Sequence, residues 1–444
     1  MIKTFEEAQQ FIYKYIGDPK KKFAGSLGLK RAKNFLNLLG NPQNKLKIIH
    51  VAGTSGKGST AFYISNILKF HGFKVGLTVS PHLVDLRERI QINNQLISKD
   101  EFVSVLNKLI PVITYLEKTD SAPPSYFMIM LAIFFYTSLE HKVDYAVVET
   151  GLGGTYDGTN TVDTENKICV ITKIGLDHTE ILGNTIPEIA SQKAGIIQAH
   201  NLVIKSGQED IVNNVFKERV KEKNGEIFFI NKDINFKSVK LKDNKINFNF
   251  RLFDFQLDNI LLNTNAFYQV ENSSLAIAAT YLLSKRDRFN LDKSKLIFCL
   301  SQISLSARMQ TFKVKNKKLI LDGAHNPQKM ASFVESLMKA YPKTKYPFLV
   351  AFKDGKDFVD MLKNIIPVAS KIIITSYQVN DYDLFISSVE ADKIVAALKK
   401  LKFTDYQVIL EVDKALNILL SEKEEILVAT GSFYLLSKLY KELL

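Results

Sequence analysis

With 444 residues the chain is too long for one ordinary core, so two or three domains are expected, and 46% hydrophobic with 11% aromatic residues excludes a disordered chain. Cys169 and Cys299 are the only cysteines, which excludes a disulfide framework or a cysteine-rich metal site and fits the reduced cytoplasm. A net charge of +13 is scattered, its longest run being Lys20-Lys21-Lys22; with no Trp and no recognition motif it reads as dispersed surface charge that steers small anions, and nucleic acid is not an expected partner.

The N-terminal MIKTFEEAQQFIYKYIGD is amphipathic and carries acids early, unlike a signal or transit peptide. Short β-branched runs bounded by turn residues predict strands over Lys47–Val51, Lys74–Thr78, Asp144–Glu149, Ile168–Thr172 and Asn201–Lys205. Between them, helical periodicity covers Ser59–Phe70, Lys99–Leu116, Tyr126–Ser138 and Pro187–Ala194. The most apolar stretch, Phe127–Leu139, is too short to span a bilayer and is expected as a buried helix, so no membrane partner is expected. This alternation predicts a parallel sheet with helices on both faces, and ligands beyond the carboxyl ends of its strands. From Phe228 to Asn263 the pattern alternates instead, predicting a small antiparallel sheet with an Asp-Asn turn near Lys245. A helix over Glu271–Leu283 follows. Strands then return at Lys318–Leu321, Pro347–Ala351, Lys371–Thr375, Gln407–Leu410 and Ile426–Ala429, with helices at Gln328–Ala340, Phe358–Ile366, Ser387–Leu401 and Phe433–Leu443. The expected organisation is α/β throughout. An N-terminal phosphate-loop ATPase domain with a parallel sheet and a small flanking antiparallel sheet covers 1–300, a hinge covers 301–307, and a C-terminal Rossmann-like α/β domain covers 308–444.

The run Ile48–Thr60, IIHVAGTSGKGST, reads as a buried strand, a glycine turn and a helix start. Backbone N–H groups freed by such a turn wrap a polyphosphate; Lys57 adds charge and Ser59 a hydroxyl. The match to the usual phosphate-loop pattern is a variant, since Val51 stands at the first glycine position and Gly58 follows Lys57. A plain strand-to-helix turn would account for the glycines, but not for the Lys, Ser and Thr between them. Glu149 ends a strand and precedes GLGGTYDGTN, where a magnesium ligand is needed; an acid capping a loop is the alternative. Ser80 in TVSPHL and His178 in KIGLDHTEILG follow two further strands. Ser59, Ser80, Glu149 and His178 would converge in this architecture, and two magnesium ions held there would neutralise a γ-phosphate and an attacking oxygen. Lys193, in IPEIASQKAGII, reads as a surface lysine on the residues alone. Asp322 and His325, in LILDGAHNP, read either as turn chemistry or as groups closing over the nucleotide, with Arg308 reaching a phosphate as a fork.

These residues closely resemble the folylpolyglutamate synthases, including the bifunctional dihydrofolate synthases, of the Mur ligase superfamily. The segments LGLKRAKNFLNLLGNPQNKLKIIHVAGTSGKGS, SPHLVDLRERIQINNQLIS, ETGLGGTYDGTN, LDHTEILGNTIPEIASQKAGI, LDGAHNP and TGSFYL look like the family's blocks, in its order, over nearly the whole chain. The resemblance implies a two-domain ATP-dependent amide ligase. The carboxylate of a reduced folate or dihydropteroate would attack the γ-phosphate of ATP, and L-glutamate would then displace phosphate from the acyl phosphate. By the same motifs Gly56, Lys57, Gly58 and Ser59 would cradle the phosphates, and Ser80, Glu149 and His178 would ligate magnesium. Lys193 would carry a carbamate. Asn272, Arg308 and Asp322 would contact the nucleotide, His325 would lie near the phosphoryl centre, and Phe127 and Asp157 would hold the pterin. Lys57, Lys193 and His325 are the catalytic candidates, and a cytoplasmic monomer is expected.

The chain departs from the family pattern at Ser55, Thr155, Gly158, Met128, Tyr268 and Ala307. Met128 and Thr155 touch the acceptor side and bear on which pterin is used. A Mur-type ligase joining an amino acid to another carboxylate is the alternative; the short segment before the phosphate loop argues against a cell-wall precursor domain there. A nucleotide-binding regulator is a third reading, and the set Glu149, His178, Lys193 and His325 argues against it.

Overall fold

The computed structural model describes residues 1–17, 25–119, 122–165, 167–342, 345–381 and 384–443, so the Lys20-Lys21-Lys22 run lies outside the described residues. The chain divides into two compact units. The first comprises Met1–Val239, Phe248–Leu261 and Glu271–Ile303; the second comprises Lys240–Asn247, Leu262–Val270 and Ser304–Leu444.

In the first unit α1 (Phe5–Tyr13) and α2 (Gly25–Leu38) precede β1 (Ile48–Ala52), α3 (Lys57–Phe70) and β2 (Val75–Thr78). A short hairpin of β3 (Gln91–Ile92) and β4 (Gln95–Leu96) leads to α4 (Lys99–Glu117), α5 (Tyr126–Glu140) and β5 (Tyr145–Glu149). Then come β6 (Ile168–Ile171), α6 (Thr179–Leu182), α7 (Ile186–Ala194), β7 (Leu202–Lys205), α8 (Asp210–Glu222) and β8 (Glu226–Phe229). The sheet order is β4-β3-β2-β5-β1-β6-β7-β8. Strands β2, β5, β1, β6, β7 and β8 pair in parallel, while β3 and β4 add an antiparallel edge. Every residue of β1 and β5 is buried, as expected when helices cover both faces of a parallel sheet. Strand order reverses at β1, the switch point where such sheets open a crevice at their carboxyl ends. Helix α5 is apolar on all sides because it is buried, and Ser125 caps it by accepting from Met128 N. Among the described residues no helix is long and apolar enough to cross a membrane.

Strands β9 (Ile234–Lys242), β10 (Lys245–Leu252) and β11 (Phe255–Leu262) form a separate sheet in the order β11-β10-β9. Asp243 and Asn244 both take positive φ, the conformation of a two-residue hairpin turn, where the sequence predicted it. Helices α9 (Tyr268–Asp287) and α10 (Lys293–Gln302) follow.

The second unit holds a six-stranded sheet. Its elements are β12 (Gln310–Val314), β13 (Lys317–Asp322), α11 (Pro327–Ala340), β14 (Tyr346–Val350), α12 (Phe358–Ile365) and β15 (Ala369–Ile374). After a hairpin of β16 (Gln378–Asp381) and β17 (Leu384–Ser387) come α13 (Ala391–Lys400), β18 (Tyr406–Val408), α14 (Val412–Ser421), β19 (Ile426–Thr430) and α15 (Phe433–Leu443). The order β12-β13-β19-β14-β15-β18 is parallel apart from the antiparallel edge strand β12. The helix predicted from Ser387 begins only at Ala391, because residues 384–387 pair with β16.

Candidate active site

The turn between β1 and α3 is held open by glycine and tied to the end of β6. Gly53 has φ +146°, and a Cβ there would collide with the Thr172 side chain. Thr54 N and Ser55 N donate to the Lys173 carbonyl at 2.9 and 3.1 Å. The Thr54 hydroxyl donates to the Gly175 carbonyl at 3.0 Å. Gly56 takes φ +95° as the cap of α3, and a Cβ there would collide with Asn272 Oδ1 and lie 3.0 Å from Asn272 Cγ. Asn272 is therefore packed on the loop. The first turn of α3 directs N–H groups with no intrahelical acceptor outward, a ready anion site beside Lys57 and Ser59.

Glu149, at the end of β5, stands against that turn. It is 6% exposed. Its Oε2 accepts from Ser80 N at 2.8 Å, and its Oε1 lies 4.0 Å from Lys57 Nζ. Gly58 permits the approach, since a Cβ there would sit 3.3 Å from Oε2. The fold thus brings Lys57, Gly58, Ser80 and Glu149 together.

Lys193 is not the surface lysine that its sequence suggests; it is 4% exposed at the end of α7. Burial pushes its ammonium down to about 7 and the Lys57 cation adds to this, while Asp177 and Asp157 oppose it. Thr155, a departure from the family pattern, clasps the same helix: its N and Oγ1 both donate to the Gln192 carbonyl, at 2.7 and 3.0 Å. His178 adopts φ +51° before α6, with its ring 3.8 Å from Asp177 Oδ1 and 3.5 Å from Glu180 Oε1. Asp177, beside it in LDHT, carries this loop's charge toward Lys193; only His178 stood out in the sequence. Among the described residues no three His, Cys, Asp or Glu side chains form a metal cluster. The donors at Glu149 and its serines are a carboxylate and hydroxyls. That set suits magnesium, which leans on one or two carboxylates plus phosphate and water rather than on a protein cage.

Phe127 and Asp157 converge on Gly151, two residues beyond Glu149. A Cβ on Gly151 would sit 2.6 Å from Phe127 Cζ and 3.1 Å from Asp157 Oδ2. Burial raises the Asp157 carboxyl, while donors hold the charged form. Leu152 N donates to Oδ2 at 2.6 Å; Thr159 N and Oγ1 donate to Oδ1 at 2.9 and 2.5 Å. Because the Thr159 hydroxyl donates to Asp157, it accepts from His50 Nε2, 2.9 Å away. That assigns the buried imidazole its Nε2–H tautomer, with no partner at Nδ1 among the described residues. Burial and the Lys167 cation hold His50 neutral. Nothing in IIHVA marked His50 as more than a strand residue.

In the second unit Asp322, Arg308 and His325 gather at Gly323. Asp322 Oδ2 accepts from Tyr268 OH at 2.6 Å and Met309 N at 2.9 Å; Oδ1 accepts from Ala324 N at 2.9 Å. Burial raises this carboxyl, and those donors with the Arg308 guanidinium act against the rise. Tyr268, another departure from the family pattern, thus supplies the phenolic donor to Asp322. Arg308 lies over the Phe433 ring at 4.7 Å. His325 Nδ1 is 2.8 Å from the Gly323 carbonyl, and Lys329 Nζ is 2.8 Å from its Nε2. Ala307, also a departure from the family pattern, takes a positive φ of +55°, a backbone that glycine adopts without strain.

A glycine loop at the switch point, a helix amino terminus and a buried carboxylate on the neighbouring strand are the arrangement expected at the nucleotide end of a Mur-type ligase. The Mur ligase middle domain model accordingly matches residues 51–280, and the dihydrofolate synthetase C-terminal domain model matches residues 304–442. The chain belongs to the dihydrofolate synthase/folylpolyglutamate synthase family of these ligases. It is 30% identical to the dihydrofolate synthase/folylpolyglutamate synthase of Bacillus subtilis over 446 aligned residues, covering 100% of each chain. It is similar to the crystal structure of folylpolyglutamate synthase from Thermotoga maritima at 28% identity and TM-score 0.83, covering 99% of this chain and 96% of that one. A Mycobacterium tuberculosis folylpolyglutamate synthase complexed with ADP and AMPPCP shares the fold at TM-score 0.86 and 22% identity, covering 94% of this chain and 95% of that one.

Proposed function

We propose that this protein is an ATP-dependent ligase that adds L-glutamate to a reduced folate, and that dihydropteroate serves as a second acceptor. The observation that carries the reading is the meeting of Lys57, Gly58, Ser80 and Glu149 at one strand end, in a chain similar along its whole length to an enzyme named for both activities. The acceptor carboxylate attacks the γ-phosphorus of ATP, the bond to the bridging oxygen breaks, and ADP leaves. The amine of glutamate then attacks the acyl carbon, loses a proton and expels phosphate. Gly56, Lys57, Gly58 and Ser59 bind the phosphates with backbone N–H groups and one ammonium. Asn272, Arg308 and Asp322 bind the nucleotide, and His325 acts near the phosphoryl group. Phe127 and Asp157 hold the pterin. Magnesium ions, two by analogy with the motif, would be held by Ser80, Glu149 and His178 and would neutralise phosphate charge.

Lys193 is the proposed carbamate. With its ammonium brought down to about 7, the amine has a neutral fraction near pH 7 that adds carbon dioxide and releases a proton, leaving an anion where the amine stood. A carbamate carbon signal after labelled bicarbonate, absent in Lys193→Met, tests this. Residues 1–300 act as the ATP-binding domain and 308–444 as the glutamate-ligase domain, joined by the hinge at 301–307. The enzyme works as a cytoplasmic monomer.

ADP release is the decisive assay. Release that requires both glutamate and either tetrahydrofolate or dihydropteroate is expected. Release only with some other carboxylate would favour the wider Mur-type reading, and nucleotide binding without turnover would refute the ligase.

A further inference from the structure

The loop from Ser80 to Ile90 carries two arginines with different commitments. Arg87 is saturated: Nε and Nη2 donate to Asp85, and Nη1 donates to the Ile97 carbonyl at 3.0 Å. Arg89 is not. Its Nε donates to His82 Nδ1 at 3.0 Å, and its guanidinium lies over the Tyr126 ring at 5.5 Å. Among the described residues its two Nη groups donate to no atom, and no carboxylate pairs with it. A half-buried arginine is normally paired, and a fork fixed on one side by an imidazole and below by a ring is pre-organised on its free edge.

The setting points to what that edge takes. The loop begins at Ser80, whose N–H lies on Glu149. Tyr126 directly precedes Phe127, which packs at Gly151 with Asp157. The guanidinium therefore sits on the acceptor side of the phosphoryl centre, where a planar dianionic or monoanionic oxygen pair would find two parallel donors. A folate ending in glutamate carries two carboxylates, of which one reacts. Dihydropteroate carries only the reacting one.

Building on the ligase reading above, we propose that Arg89 binds the non-reacting carboxylate of a glutamate-terminated acceptor and so sets the preference between folate and dihydropteroate. His82 and Tyr126 are positioning residues for that fork. The phosphoryl chemistry does not depend on it, because the group bound is remote from the bond that forms.

The test is steady-state kinetics of the full chain with Arg89→Gln and Arg89→Lys. With Arg89→Gln, the KM for tetrahydrofolate should rise roughly 10- to 100-fold, the loss of a charge-assisted pair, with kcat at saturation retained. The KM values for dihydropteroate and for glutamate should not move, and Arg89→Lys should fall between parent and Gln. An equal rise for both acceptors would mean that Arg89 binds the reacting carboxylate or merely braces the loop. A change confined to glutamate, or no change, would equally overturn the assignment. Should Arg89→Gln melt early, the Lys variant, which keeps the charge, decides between these outcomes. A parent enzyme active on dihydropteroate with intact ADP release would leave the ligase standing even where the Arg89 assignment fails; a parent inactive with both acceptors would refute both.

Discussion

Replacing Gly56 by alanine tests the phosphate loop at its tightest point. A non-glycine residue at φ +95° costs about 1–2 kcal/mol in backbone strain. The new Cβ would also land on Asn272 Oδ1, 3.0 Å from Cγ and 3.3 Å from Nδ2, so the whole amide must turn away rather than flex at its tip. Asn272 is 8% exposed, and stranding a buried amide costs a further ~1–3 kcal/mol. Gly56→Ala should therefore lower the urea midpoint by an amount equivalent to about 2–5 kcal/mol and raise the KM for ATP, since both loop and amide move. Asn272→Ala in the same chain makes a cycle. With the amide gone the Cβ has room, so the double variant should be more stable than the sum of the singles requires, by roughly 1–3 kcal/mol. Additive costs in the urea titration, or an unchanged KM for ATP in Gly56→Ala, would refute the packing of Asn272 on this loop.

Lys57→Ala should abolish ADP release while far-UV circular dichroism stays that of the parent, and Glu149→Gln should weaken the magnesium dependence of turnover; an unchanged magnesium titration removes Glu149 from the site. Tyr268→Phe takes the 2.6 Å donor from Asp322 and should raise the KM for ATP with little change in that for glutamate; calorimetric titration with ADP checks it. Lys205 lies fully buried, with Nζ bonded to the Ser206 carbonyl and Asn213 and set over the Phe216 and Phe229 rings. Burial, the larger cause, brings it down to about 7, with Glu271 opposing. Between about 7 and the usual lysine range the unfolded chain holds the extra proton, so stability rises with pH there and is flat in this group below about 7. Lys205→Met should flatten that rise in urea midpoints measured from pH 7 to pH 10; an unaltered slope would refute a depressed lysine.

The strand, glycine turn and helix of the candidate phosphate loop were legible because their signals are local. A β-branched run, three glycines, Lys57 and Ser59 occupy adjacent positions, and Glu149 ends its own strand. The burial of Lys193 was not legible, since ASQKAG resembles an exposed helix end. What encloses it is Gly154 and Thr155, packed on the Gln192 carbonyl from about forty residues upstream, a pairing with no periodic trace. Helix α8 is faint in DIVNNVFKERVKE because Val212, Phe216 and Val220, with Val215 beside them, form a narrow inward stripe among charged and amide residues. The start of α13 lies later than the sequence predicts because LFISSVEADKIVAAL carries enough apolar residues for either element, and cross-strand pairing with β16 takes its first four residues. The partners of Asp322 were hidden for the same reason as those of Lys193: Tyr268 lies 54 positions away.

The interleaving of the two units limits how the chain can be divided. Leu262–Val270 belongs with Ser304–Leu444, and it brings Ala266 into that core as well as the phenol on Asp322. A fragment begun just after the 301–307 segment would carry a carboxylate stripped of one ligand and a core missing one wall. Anyone wishing to express the C-terminal portion by itself, or to split the gene for complementation, should graft that nine-residue stretch back as a peptide or a permuted terminus.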